Sequence, residues 1–164
     1  ANGRRASVYK RINMEEERPK RSYPATVLGS YCPRCREGKL FKHKVSVSIK
    51  RNMEMNPYCP VCGQRTEIEV GFYYGTGYVS YVLALVVTGI TFVAWFLLVG
   101  FSFTDSRFVW WIFSNAFLLI VLQPWLMRLS RSLWISWFVS YDPEWPHHPP
   151  DDPERIVEEQ MNNW

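Results

Sequence analysis

Between residues 70 and 104 the sequence contains no Asp, Glu, Lys, Arg or His, and residues 108–127 lack all five as well. An uncharged apolar run of about 18 residues or more reads as a membrane-spanning helix. Taken as helix, residues 77–103 reach about 40 Å and residues 108–127 about 30 Å, against a hydrocarbon core of about 30 Å. A buried soluble hairpin is the disfavoured alternative, because a 164-residue chain has too few other residues to cover two such runs. Spans over residues 76–103 and 108–128 are expected, and the very short connection makes them antiparallel.

Histidine is equally scarce: His43, His147 and His148 are the only three, and none lies in either apolar run. Haem ligation by His inside the membrane is thereby excluded, and no CxxC is followed by the His of a c-type haem attachment. No acidic or basic residue interrupts the spans, so no proton relay crosses them. Nor is there a P-loop, a GxGxxG or a nucleophile–base constellation. Neither haem nor catalysis is expected. No charged and then apolar leader precedes the first span, so no cleavable signal peptide is expected.

Charge is present but segregated. Residues 1–69 carry 15 Lys and Arg against 7 acids, a balance of +8, whereas residues 142–164 carry 7 acids against Arg155 alone, a balance of −6. The connection between the spans holds one basic residue, Arg107, while Arg128 and Arg131 follow the second span. By the positive-inside rule both termini face the cytoplasm. Trp110, Trp111, Trp125, Trp134 and Trp137 flank or end the spans, as interfacial aromatic belts require.

All four cysteines fall in the basic head, where cytoplasmic thiols stay reduced and metal ligation is favoured over disulfides. Cys32-Pro33-Arg34-Cys35 and Cys59-Pro60-Val61-Cys62 are separated by 23 residues, the spacing of a tetrahedral four-cysteine site. Gly38 and Gly63 offer backbone freedom just past each turn. Residues 45–49 alternate apolar and polar, and residues 67–70 repeat the pattern, so a small β zinc ribbon over residues 31–72 is expected. About 40 residues bury too little core alone, which makes the metal part of the folding energy. One structural Zn²⁺ is the first reading, since four thiolates leave no open position. A rubredoxin-like single iron and a dithiol redox pair are the alternatives.

Around this module the chain divides further. Residues 1–30 form a basic arm with Pro19 and Pro24 as breakers, a possible short helix over residues 8–18 and an affinity for lipid headgroups. Residues 71–77, with Gly71, Phe72, Tyr73, Tyr74 and Gly75 at their head, make an interfacial hinge between ribbon and membrane. Ser80, Ala84 and Thr88 recur every four residues in the first span, a stripe that lets another helix approach closely, the second span first of all. Asn115 should face a helix or water rather than lipid. Pro124 should bend or end the second span near the inner face. Arg128 and Arg131 share a helical face. Residues 129–141, with Trp134, continue along the interface. Residues 142–164 are an acidic, Pro-rich tail that ends in a short helix over residues 152–161. His147 and His148 beside Asp151 read as a solvated linker rather than a metal site.

The stretches CPRCREGKLF, CPVCGQR, EVGFYYGTGYVSY and RLSRSLWISWFVSYDPEW together resemble a bacterial inner-membrane family of unknown function, with a cytoplasmic zinc ribbon and two spans. The resemblance covers about residues 31–145 and looks like the form found in Bacteroidota. Members are often encoded close to genes for cytochrome c oxidase and its assembly, so the resemblance implies a respiratory context. It carries over Cys32, Cys35, Cys59 and Cys62 as metal ligands. Gly71–Gly75, Ser80, Ala84, Thr88, Arg128, Arg131 and Trp134 are candidate contact residues. A non-catalytic accessory subunit of a complex containing cytochrome c oxidase is the leading expectation. An assembly or metal-delivery factor is the alternative. A membrane-tethered nucleic-acid binder ranks last, because only Phe41 and Tyr58 offer aromatic rings between the two cysteine turns.

Overall fold

The computed structural model describes residues 21–100 and 106–150. The expected helix over residues 8–18, the connection at residues 101–105 and the terminal helix over residues 152–161 lie outside the described residues. Among the described residues five helical elements occur in order: α1 (Tyr23–Leu28), α2 (Ile49–Met53), a 3-10 turn (Phe72–Gly75), α3 (Thr76–Val99) and α4 (Arg107–Phe138).

Helices α3 and α4 are long and apolar enough to cross a membrane, and their most apolar stretches are almost wholly uncovered by protein. They are the two expected spans, packed on each other side by side. Asn115 explains how a polar amide is tolerated between them. Its Oδ1 accepts from Thr91 Oγ1 at 2.8 Å, and its Nδ2 donates to Thr88 Oγ1 at 3.3 Å. An amide satisfied at both ends no longer carries the cost of exposure to hydrocarbon. Thr88 therefore turns toward α4, and Ser80 and Ala84 are half-buried on the same side of α3. Phe92 and Trp111 meet edge to face at 5.2 Å nearer the far end of the hairpin.

The second span does not stop near residue 128. Pro124 lies inside α4, which continues unbroken to Phe138 as 32 residues, about 48 Å of helix. The expected interfacial continuation is thus the last third of the same helix. Proline removes one backbone donor, a loss that neighbouring groups make tolerable in membrane helices. At this turn a buried side chain ties the cysteine module to α4: Asn52 Nδ2 donates to the carbonyl of Pro124 itself at 2.8 Å, not to the Ile120 carbonyl that the missing N–H leaves without its usual partner. With about 30 Å of α4 in hydrocarbon, the remaining turns project beyond it and form the platform on which residues 21–72 sit.

Pro24 also departs from expectation. It occupies the first turn of α1, where its fixed φ suits a helix start and its missing N–H is no loss. Tyr23 OH pairs with Ser136 Oγ of α4 at 2.9 Å, and Thr26 and Val27 are buried. From residue 21 onward the expected arm is part of the packed module.

The β-ribbon is replaced by something sparser. Among the described residues there are no strands, only isolated antiparallel bridges at Tyr31–Lys39, Phe41–Met55 and Tyr58–Arg65. The alternating residues 45–49 do not pair. Ser46 N–H donates to Asn52 Oδ1, which turns the chain into α2, and Val47 is 90% exposed. Without a partner strand an alternating pattern has no face to bury, so periodicity alone misleads here.

Candidate metal centre

Each cysteine pair lies in a tight loop closed by one bridge, and the two loops share a backbone plan. Arg36 N–H donates to Cys32 O at 2.8 Å, and Gly63 N–H donates to Cys59 O at 3.0 Å. The donor residue is left-handed in both, with φ of 59° at Arg36 and 71° at Gly63. Gly63 thus supplies the backbone freedom the sequence suggests. Gly38 serves another purpose. Its N–H donates to Cys35 Sγ at 3.5 Å, and a Cβ at Gly38 would overlap Cys59 Sγ. Only glycine lets the two loops close on each other at that point.

The closure brings all four sulfurs within 4.8 Å of one another. Cys32 Sγ lies 3.7 Å from Cys62 Sγ, and Cys35 Sγ lies 3.7 Å from Cys59 Sγ. A tetrahedron with metal–sulfur arms of about 2.3 Å has edges of about 3.8 Å, so the donor set fits a metal ion such as zinc. Cys32, Cys35 and Cys59 are buried, and Cys62 is half-buried. Crowding couples their ionisation. Hydrogen bonds from Cys35, Cys59 and Cys62 push the Cys32 thiol up. Sharing with Cys32 holds Cys35 down to about 7, and Cys32 and Cys35 together hold Cys59 well below the usual thiol range. Four like charges cannot coexist in this volume unaided, and a dication held there would allow all four thiolates to form.

The cysteines are not a separate bead on the membrane hairpin. They share one hydrophobic core with Leu40, Phe41, Phe72, Tyr73 and Ile135 of α4, flanked by Trp134, Val139 and Trp145. Most of the expected contact residues turn out to build this joint. Arg128 is buried; its Nε donates to Asn52 O at 3.1 Å, and its Nη2 donates to His43 O at 2.8 Å and Lys44 O at 3.0 Å. Its guanidinium also lies 4.6 Å from the Phe41 ring centroid. One turn on, Arg131 Nη1 donates to Met53 O at 3.1 Å while its guanidinium covers Tyr73. Trp134 Nε1 donates to Phe72 O at 2.8 Å.

The expected hinge is a packed corner. Gly71 has φ of 80°, which favours glycine, and opens the 3-10 turn. Phe72 contacts Tyr73 and Phe138 edge to face, each at 5.1 Å. Gly75 lies so close to the Trp134 indole that a Cβ would overlap it. Tyr74 alone of the five is strongly exposed, at 76%.

Two functional positions carried no readable signal. Asn52 links Ser46, Pro124 and Arg128 although it stands in an unremarkable polar run. Arg34, inside the first cysteine turn, is a buried clamp for the tail. Its Nη2 reaches Asp142 Oδ2 at 3.2 Å, His148 O at 2.8 Å and Pro149 O at 3.0 Å. Partial burial opposes the Asp142 charge, but the Glu144 N–H and Arg34 hold its pKa below the ordinary value. His148 lies 3.5 Å from Asp142 and is exposed, in keeping with a linker held by turns.

Among the described residues, fold and site together give two helices long and apolar enough to cross a membrane, the second carrying at its end a fused four-cysteine module able to bind a metal ion. The chain matches the model of the family described as Protein of unknown function (DUF983) over residues 49–138, and it belongs to that family. The match begins at α2, includes Cys59 and Cys62, and ends at the last residue of α4. No curated protein matches the chain, and no solved structure does.

Proposed function

We propose that the protein is a non-catalytic accessory subunit of a membrane respiratory complex containing cytochrome c oxidase. It resides in a bacterial inner membrane with both termini in the cytoplasm, and Cys32, Cys35, Cys59 and Cys62 hold one structural zinc. The observation that carries the non-catalytic part is the closed four-sulfur site set into the same core as Ile135 and Trp134. Four thiolates fill a tetrahedral shell and leave no position for substrate, so the ion acts as a cross-link between the two loops. The respiratory part rests on the resemblance of the cysteine turns, the Gly71–Gly75 corner and residues 128–145. Apolar helix faces without His or acids, a basic head and an acidic tail all suit a larger assembly.

Gentle solubilisation tests this reading. The chain is expected to co-purify in near-equal amounts with haem-bearing subunits, which supply every haem signal in the preparation. Recovery as free monomer beside an intact oxidase complex would defeat it. Cys62 supports a second reading, an assembly or metal-delivery factor, because it is half-buried while the other three cysteines are buried. Rapid exchange of the bound ion with a copper(I) chelator would favour that alternative.

A further inference from the structure

Beside the joint, a cavity of about 950 Å³ opens between the cysteine module and α4. Its wall is divided by chemistry. Leu28, Trp125 and Leu129 supply an apolar side, and Lys39, Lys42 and Lys44 supply a cationic rim. Lys42 is engaged by Glu54 at 2.8 Å, Lys39 lies over the Tyr31 ring at 4.7 Å, and Lys44 is exposed.

Depth makes this arrangement specific. A helix needs about 20 residues to cross about 30 Å of hydrocarbon. Counted from Phe108, that length ends near Met127, so Trp125 and Leu129 bracket the boundary between acyl chains and headgroups. Trp125 thus stands on the acyl side of that boundary and Leu129 just beyond it, while Lys44, whose carbonyl accepts from Arg128, lies at the level of the headgroups. Basic cavities at this level between protein and bilayer are suited to anionic headgroups.

We infer that this cavity is a binding site for one anionic phospholipid, its phosphate among Lys39, Lys42 and Lys44 and an acyl chain along Trp125, Leu129 and Leu28. The site depends on the hairpin and the docked module alone, and holds whether or not the protein belongs to a respiratory complex. A lipid seated there would fasten the module to the membrane at a second point besides α4.

The test is native mass spectrometry of the full-length, detergent-solubilised protein titrated with dioleoyl phosphatidylglycerol or dioleoyl phosphatidylcholine. One phosphatidylglycerol is expected to bind in preference to phosphatidylcholine. The double change Lys39→Gln/Lys44→Gln removes two charges from the rim and should weaken phosphatidylglycerol binding roughly thirtyfold. Both residues are exposed, so metal content should be unchanged. Lys50→Gln/Arg51→Gln removes the same charge from exposed positions outside the cavity and should leave binding intact. Equal binding of both lipids, or equal loss in both double variants, would overturn the proposal. So would binding that begins only after residues 151–164 are deleted, since the acidic tail would then be the occupant.

Discussion

Cys59→Ser is expected to empty the metal site and unfold the cysteine module while both helices stay in the membrane. The two loops meet through sulfur, and among the described residues only isolated bridges, no strand ladder, would hold them when one ligand is gone. Structural zinc contributes on the order of 10–16 kcal/mol in small modules of this kind, more than about 40 residues can recover from burial. Helices α3 and α4 owe their insertion to apolar length, which the substitution does not touch. Limited proteolysis should therefore open sites between residues 31 and 72 and spare the hairpin. Because Ile135 shares the core with Cys32, Cys35 and Cys59, the last turns of α4 should also gain amide exchange. Unchanged protease resistance in the metal-free variant would show that the module stands without its ion.

Arg128→Leu should release the module from α4 without emptying the metal site. The guanidinium satisfies the carbonyls of Asn52, His43 and Lys44. Leucine keeps most of the bulk against Phe41 but strands three acceptors, a loss on the order of 3–5 kcal/mol. Arg128→Lys should recover only part of this, since an ammonium cannot span acceptors on both sides as the planar fork does. A cross-link between residue 44 and residue 129, which line the same cavity, is expected to form efficiently in the parent protein and to fall sharply in Arg128→Leu. Metal content should remain at the parent level. An unaltered cross-linking yield would mean that the core around Trp134 and Ile135 suffices for docking.

Features governed by local chemistry could be read from the chain directly. Two uncharged apolar runs fixed the hairpin, because length and the absence of charge decide membrane insertion with little help from tertiary context. The paired CxxC turns announced their convergence, since thiolates at that spacing gain most by sharing an ion. What failed depended on partners distant in sequence. The alternation at residues 45–49 looked like a strand, but no neighbour pairs with it, and Asn52 draws Ser46 into a turn instead. Pro124 was expected to bend or end the span; it does not end it, and α4 runs through beside an amide arriving from 72 residues away. Gly38 was recognisable as a glycine in the right place for the wrong reason: clearance for Cys59 Sγ, not a left-handed φ. Arg128, Arg131 and Trp134 stood out as residues that must touch something. Their partners are the module itself, a distinction that only the fold supplies.

That the four cysteines hold a single structural zinc is most directly tested by metal analysis together with X-ray absorption at the metal edge on the purified, full-length protein. One zinc per chain is predicted, with four sulfur neighbours at about 2.3 Å and no lighter atom in the first shell. An iron–thiolate absorption band, a nitrogen or oxygen ligand in the shell, or a metal-free protein with an intact module would contradict it.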